Sequence, residues 1–327
     1  SLPAELQLAA VLCVIAASLK CAQLPFHGWL TQVMEAPTPV SALLHAGVVN
    51  LGGFLMIRLS PLMARAPAAQ LLLVLIGRTT TVVAALVMTT RVSVKVSLAW
   101  STTAQMGFML VQCGLGAFHL ALLHLVAHSL YKAHAFLSAG SAVDTFRLSS
   151  LGRRRAAPTF LRLVLGTVVV SSAAAVAVAL LSRLLPTHGA FDPSVAVLAL
   201  VVALSLVPMV SQSTDAMGAA ALRAAGVSAL YVMWHVAAER LAPPPHFHEA
   251  SWFAWGLVAV GFVALFVVQT LLLARPHGPL ARRLHTWLFA GLYLDERFTR
   301  LTFRVWPPRI SQPTSSSRPP VVAAVEG

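Results

Sequence analysis

Nine apolar stretches constrain the fold of this 327-residue chain more than any other feature. A helix of about 20 apolar residues matches the thickness of the hydrocarbon core of a bilayer. We therefore predict an all-α, polytopic transmembrane helix bundle. Its spans are predicted near residues 5–24, 39–59, 69–89, 97–115, 117–142, 158–185, 194–211, 216–240 and 251–274.

The composition excludes an ordinary soluble domain. The sequence is 58% hydrophobic and only 10% charged, whereas soluble domains carry about 25% charged residues. The net charge of +13 does not indicate nucleic-acid binding, because the arginines are dispersed between apolar spans and no aromatic-basic surface accompanies them. By the positive-inside rule, their distribution predicts a multi-pass protein of the cell inner membrane with a cytoplasmic C-terminus.

Lysine and arginine are used differently along the chain. Only three of the 23 basic residues are lysines, and Lys20, Lys95 and Lys132 all fall in or against apolar stretches. A buried ammonium is costly in a bilayer, and lysine gives up its proton on burial far more readily than arginine does. This pattern is typical of a membrane protein that loads and unloads protons in its interior.

The first span is interrupted after Lys20. It ends at Pro25, and residues 26–38 (FHGWLTQVMEAPT) are too polar and too rich in turn residues for a regular span. Broken helices at membrane depth are frequent in transporters, where their free ends hold ions. Near the break, Glu35 is a candidate charge partner for Lys20 or a cap for the following helix. His45 lies a turn and a half inside that helix.

The densest group of titratable residues lies in HLALLHLVAHSLYKAHAF, residues 119–136. His124, His128 and Lys132 recur every four residues and therefore share one face of a helix. A row of histidines that leads to a lysine indicates a proton relay, because titratable groups inside a membrane are costly and are kept for function. His119 and His134 lie off this face, and interhelical hydrogen bonding is a sufficient role for them.

Other positions leave alternatives open. Lys20 lies near a helix end and Lys95 begins a helix, so either side chain can instead reach the membrane interface as an anchor. A lone buried histidine such as His45 is more often structural than functional. The sequence has no phosphate loop, nucleophile elbow, dinucleotide motif or zinc-site spacing. We therefore expect a transporter subunit with no catalytic centre, cofactor or metal of its own.

The composition changes after residue 274. We predict a transmembrane proton-conducting domain over 1–274, an amphipathic segment over 275–310 and a disordered tail over 311–327. In the second region arginine alternates with tryptophan, phenylalanine and leucine, which is typical of an interfacial helix or a partner-docking segment. Because an apolar span begins almost at once and without a charged leader, we also expect helices upstream of Ser1.

Three motifs resemble the antiporter-like proton-conducting subunits of respiratory complex I and of the Mrp cation/proton antiporters. They are SLKCAQLPFHGWLTQVMEAPTPVSALLHAG, VSVKVSLAWSTTAQMGFML and HSLYKAHAFLSAGS. The resemblance implies the second half of an inverted-repeat fold with broken helices, in which a lysine pairs with a glutamate on an earlier helix. It implies proton-translocation roles for Lys20, His45, Lys95, His124, His128 and Lys132.

Within this family, KVSLAWSTTAQMGFMLVQCGLGAFHLALLHLVAHSLYKAHAFL looks closest to the membrane subunit of DAB-type inorganic-carbon transporters. That resemblance implies a cytoplasmic, zinc-bearing, carbonic-anhydrase-like partner of the DabA type, with the zinc held by the partner. The chain departs from the family at Thr31 and Gln32, where Pro-Asp is usual, and at Ser93, which replaces an acid. It also has no lysine after Lys132.

The resemblance implies a subunit that conducts protons, or alternatively Na⁺, and so energises hydration of CO2 by that partner. One alternative is a pumping subunit of NADH-quinone oxidoreductase, related to its subunit L, that works beside the other complex I membrane subunits. A subunit of an Mrp-type antiporter belongs to the same alternative. Another is a structural membrane anchor that keeps inert remnants of the channel.

Overall fold

The computed structural model describes residues 2–141, 193–211, 217–241 and 251–307, together with isolated residues between 161 and 176. These residues form helices joined by turns, and none of them lies in a β-strand. The α-helices are α1 (Ala4–Lys20), α2 (Gly28–Gln32), α3 (Thr38–Ala46), α4 (Leu51–Arg58), α5 (Ser60–Met63), α6 (Pro67–Met88), α7 (Val94–Gly114), α8 (Phe118–Leu137), α9 (Pro193–Ser211), α10 (Met217–Leu241), α11 (Trp252–Ala274), α12 (Pro279–Phe289) and α13 (Leu294–Val305).

Helices occupy eight of the nine predicted spans, and their ends differ from the predicted ends by a few residues. The predicted span over 158–185 lies mostly outside the described residues, as does the tail over 311–327. By length and apolar composition, three described stretches are sufficient to cross a bilayer, namely Thr38–Arg58, Pro67–Met88 and Trp252–Ala274. The all-α transmembrane fold class is confirmed, while the number of nine spans and the domain limits stay predictions.

The predicted break after Lys20 is present. α1 ends at Lys20, Ala22 adopts a left-handed conformation with φ of 51°, and the chain turns before α2 begins. The Leu24 amide donates a hydrogen bond to the Thr80 hydroxyl of α6 at 3.2 Å, which satisfies one backbone group that the break frees. A second interruption divides the predicted span over 39–59, because the 3₁₀ turn Val48–Asn50 separates α3 from α4.

The pair formed by α6 and α7 is the centre of the bundle. Their backbones approach closely at two glycines, since a Cβ built on Gly77 would lie 2.5 Å from the Gly107 carbonyl oxygen. Across the same contact, the Thr81 hydroxyl donates to the Ala104 carbonyl at 3.1 Å. α8 packs against both α3 and α7. This arrangement places the histidine-lysine face of α8 between two neighbouring helices.

The amphipathic segment, formed by α12 and α13, packs against the bundle. Arg91 donates from Nη2 to the Leu288 carbonyl at 3.1 Å, and its guanidinium lies 5.2 Å from the centre of the Trp100 ring. Burial lowers the pKa of the Arg91 guanidinium and the Glu296 carboxylate opposes that shift, although arginine stays charged. The segment is therefore attached to the bundle through Arg91, which contacts the Leu288 carbonyl of α12 and the Trp100 ring of α7.

Replacing Arg91 by alanine is expected to loosen α12 and α13. The change removes one hydrogen bond and the cation–π contacts, which together contribute about 2 kcal/mol. Trypsin should then cut faster at Arg297 and Arg300, which are exposed on α13. Arg58→Ala removes an exposed arginine at the end of α4 and serves as the control, with no change in digestion rate. Equal digestion of Arg91→Ala and wild type would show that Arg91 does not hold the segment.

Candidate functional site

Lys132 is the centre of the candidate site. It is a fully buried side chain, with no exposed surface. Its Nζ donates to the Leu98 carbonyl at 3.1 Å and to the Ser101 hydroxyl, both on α7. These acceptors are neutral, and no carboxylate in the described part of the chain pairs with the ammonium. The charged form of Lys132 therefore has hydrogen bonds but no counter-charge.

Two buried imidazoles flank Lys132. His45 of α3 has no exposed surface, and its ring stacks on the Phe136 ring of α8 with centroids 4.3 Å apart. His128 lies one helical turn before Lys132, is 4% exposed and is within electrostatic range of both His45 and Lys132. Neither imidazole makes a hydrogen bond with the described residues. Buried polar atoms of this kind are the ones that ordered water commonly satisfies.

His124 extends the row towards α7. Its ring centroid lies 6.0 Å from that of His128, and its Nδ1 lies 2.9 Å from Gln112 Oε1. The Gln112 amide both accepts and donates hydrogen bonds, so this contact is compatible with either tautomer of the His124 imidazole. The structure thus brings together four of the predicted residues, His45, His124, His128 and Lys132.

Lys95 does not join this cluster. It is half-buried, and its Nζ donates to the Ala36 carbonyl at 3.1 Å, at the end of the break. Its position is one helical turn before Leu98, whose carbonyl accepts the hydrogen bond from Lys132. Lys95 therefore fastens the start of α7 to the break, close to the site but outside it.

Lys20 and Glu35 are also separate from the cluster. Lys20 is exposed and lines a cavity of about 920 Å³ between the break and α13. Within the described ranges, no ion pair joins Lys20 to Glu35, and no side chain caps the first turn of α3. The role of Glu35 as a charge partner stays a prediction.

Neutral polar side chains that were not predicted from the sequence contact the row. Ser101 and Gln112 of α7 contact Lys132 and His124. Asn50, at the interruption between α3 and α4, donates to the Ser129 hydroxyl of α8 at 2.8 Å. Polar side chains inside apolar spans commonly bond across helices. That signal marks Gln112 and Asn50 in the sequence, but it does not say which helix they contact.

The chemistry open to this cluster is proton exchange. Imidazoles and a lysine amine accept and release protons, while the hydroxyl and amide groups around them donate and accept hydrogen bonds. Among the residues that the structure describes, no group of three or more His, Cys, Asp or Glu side chains is placed to hold a metal ion.

The helices and the buried row define an all-α membrane protein with titratable groups in its interior. The chain belongs to the NADH:quinone oxidoreductase/Mrp antiporter transmembrane family, whose model matches residues 3–218. It is similar to the probable inorganic carbon transporter subunit DabB of Hydrogenovibrio crunogenus, with 42% identity over 314 residues, 93% of this chain and 58% of the relative. The DabB2 subunit of Halothiobacillus neapolitanus is 42% identical over 324 residues, 95% of this chain and 58% of the relative.

Relatives of the respiratory and antiporter classes are also found. NADH-quinone oxidoreductase subunit L of Rhodobacter capsulatus is 40% identical over 171 residues, which are 50% of this chain and 24% of the relative. The Mrp complex of Dietzia sp. DQ12-45-1b superposes with a TM-score of 0.48 and 28% identity, over 94% of this chain and 40% of the other. The chain spans 58% of the length of the two DabB relatives. The predicted family is confirmed, and so is a membrane location.

Proposed function

We propose that this chain is a proton-conducting membrane subunit of an inorganic-carbon uptake complex. The observation that carries the proposal is Lys132, which is fully buried and lies near two imidazoles that have no hydrogen-bond partner among the described residues. Such a group is expensive inside a membrane and is retained where its charge is used. The similarity to DabB-named subunits over 93% of the chain supports inorganic carbon as the cargo.

In this proposal Lys132 is the central carrier. Its amine accepts a proton and passes it to His128, one turn earlier on α8, and from there to His124 beside Gln112. His45 links the row towards Lys20, whose cavity extends to Val48, three residues after His45. Water molecules at the free imidazole nitrogens complete the hydrogen-bonded path between these groups. Lys95, which lies outside the cluster at the start of α7, is proposed as a further proton-transfer residue. Glu35 is the nearby acid that balances the charge of the lysines.

The proposed partner is a cytoplasmic, zinc-bearing, carbonic-anhydrase-like subunit of the DabA type. Proton entry through this chain energises hydration of CO2 on that partner and so traps bicarbonate in the cell, with the zinc held by the partner. The DabB relatives are named as subunits of inorganic carbon transporters, which supports a complex. We place the chain in the cell inner membrane with a cytoplasmic C-terminus, because the arginine-rich loops and the tail share that side.

The test is growth in ambient air of cells that lack carbonic anhydrase. We expect rescue when the whole gene product and its partner are expressed together, and loss of rescue with His128→Ala, because this change removes an imidazole of the row. His134→Ala is the matched control, because His134 is exposed and lies off the row on the same helix. Rescue by His128→Ala would remove that residue from the mechanism. If the wild-type protein is expressed and does not rescue growth, the proposed carbon uptake is contradicted.

The alternative is a pumping subunit of NADH-quinone oxidoreductase or of an Mrp-type antiporter. The 40% identity to subunit L over half of the chain favours it. In NADH-quinone oxidoreductase, redox energy at a distant site would then drive protons outward along the same lysine and histidines. Deletion of the gene separates the two functions, since NADH-driven acidification of inverted membrane vesicles falls only if the chain is a respiratory subunit.

A further inference from the structure

The cavity beside Lys20 has a polar wall formed by α13. Asp295, Thr299 and Thr302 line it, at positions that share one face of that helix. Lys20 lines the opposite wall, together with residues of the break. We propose that this cavity is the path by which protons reach Lys20 from the α13 side of the membrane, and that Asp295 is the carboxylate that admits them. This inference rests on the proposed function.

Asp295 is held in place by close packing against the break. Its carboxylate occupies the space beside Gly28, where a Cβ would overlap Oδ1. Gln32 Nε2 donates to Asp295 Oδ2 at 3.4 Å. Phe298, on the next part of α13, meets Phe26 edge to face at 5.0 Å. The carboxylate is therefore positioned at a defined point on the cavity wall.

The charges around the cavity are complementary. Asp295 is half-buried and faces the wall that carries Lys20. His27 is 1% exposed, and its Nδ1 has no hydrogen-bond partner among the described residues; it lies within electrostatic range of Asp295, Glu296 and Arg91. Titratable groups thus surround this end of the break on both the bundle side and the α13 side.

An access path must end at a residue that water can reach, and Lys20 meets this requirement whereas Lys132 does not. Lys132 has no exposed surface, whereas Lys20 is exposed to a cavity large enough for many water molecules. The Asp295 carboxylate takes a proton from bulk water, cavity water carries it to the Lys20 amine, and the carboxylate is left ready for the next proton. The hydroxyls of Thr299 and Thr302 supply hydrogen bonds for that water.

The first experiment measures proton influx into proteoliposomes that contain the whole gene product, with trapped pyranine as the pH reporter and a K⁺ diffusion potential as the driving force. Asp295→Asn should lower the initial rate about tenfold, since it removes a positioned proton-transfer group. Glu5→Gln is the matched control, because Glu5 is an exposed acid in the first turn of α1 and does not line the cavity. It should conduct like wild type.

The second experiment tests whether the cavity is the route. In a background in which Cys13, Cys21, Cys113 and any further cysteines of the whole gene product are replaced by alanine, Thr299→Cys should react with a cationic, water-soluble thiol reagent, and the reaction should lower the flux. Leu301→Cys is the control, since Leu301 is 58% exposed on α13 and does not line the cavity. It should react without any effect on the flux.

The outcomes separate this inference from the proposed function. If wild type carries no flux, or if Lys132→Ala conducts like wild type, the proposed function fails. If Lys132→Ala stops the flux while Asp295→Asn and labelled Thr299→Cys conduct like wild type, the access path alone is overturned. If Asp295→Asn also makes α13 more sensitive to trypsin, its effect comes from loss of docking, and this likewise overturns the assignment of Asp295.

Discussion

Lys132→Ala is expected to stop proton conduction, with a loss of about a hundredfold or more in the initial flux rate. The amine lies within electrostatic range of His45 of α3 and of His128 one turn earlier on α8, so its loss interrupts the row. Alanine leaves no group that can take up the proton, and the Leu98 carbonyl and Ser101 hydroxyl lose their donor. The pyranine assay in proteoliposomes measures this loss directly.

Two further substitutions at the same position separate proton transfer from packing. Lys132→Met keeps a similar volume without the charge, and Lys132→Arg keeps a cation that does not release its proton. Both should fail to conduct. Lys132→Met should nevertheless unfold at no lower a temperature than wild type, because it removes a buried charge that has no counter-charge among the described residues. Conduction by Lys132→Arg would show that a fixed cation is sufficient and would contradict the role of Lys132 as a carrier.

The face that carries the row could be predicted because the period of an α-helix is fixed. His124, His128 and Lys132 are four residues apart, and any helix over this stretch places them in line. The groups that face them depend on which helices pack together. The Leu98 carbonyl lies 34 positions from Lys132 in the chain, and no local pattern in the sequence indicates that contact.

The three lysines also show that contacts between helices cannot be predicted from a local sequence pattern. In the sequence they are alike, since each lies in or against an apolar stretch. The structure separates them: Lys132 is sealed, Lys95 is tied to the Ala36 carbonyl, and Lys20 opens on a cavity. Burial of a side chain is a property of its neighbours in space. The pattern of apolar residues therefore predicts which lysines lie at membrane depth but not which of them is enclosed.

The amphipathic segment could be predicted as amphipathic, because its arginines and aromatic residues alternate along the chain. The surface that it covers could not. Arg91 and Leu288, which join it to the bundle, are 197 positions apart. Its contact with the break follows from shape, since the Asp295 carboxylate fits where Gly28 has no side chain.

A second large effect is expected at the contact between α6 and α7. A Cβ built on Gly77 would lie 2.5 Å from the Gly107 carbonyl oxygen, and one built on Gly107 would lie 2.6 Å from the Gly77 carbonyl oxygen. The obstruction is backbone, so it cannot rotate away as a side chain could. Gly77→Ala should therefore force the helices apart and lower the free energy of unfolding by about 3 kcal/mol. Thermal unfolding in detergent measures the change.

Gly256→Ala is the matched control for Gly77→Ala. Gly256 also lies in a long apolar helix, α11, but a Cβ built there meets nothing within 4 Å. Alanine should be neutral or slightly stabilising at that position, because it favours the helix over glycine. A similar loss of stability in both variants would assign the effect to the loss of glycine itself and not to the close approach of α6 and α7.

Gly77→Ala also tests whether a change in the distance between α6 and α7 alters the site around Lys132. α7 carries Leu98 and Ser101, the acceptors for Lys132, and the Thr81 hydroxyl bonds to the Ala104 carbonyl across the α6 and α7 contact. If Gly77→Ala displaces α7, the hydrogen bonds of Lys132 must change, and proton flux per folded molecule should fall. Gly256→Ala should conduct like wild type. Reduced stability with unchanged flux per folded molecule would show that the site tolerates a shift of α7, and that α8 alone positions the row.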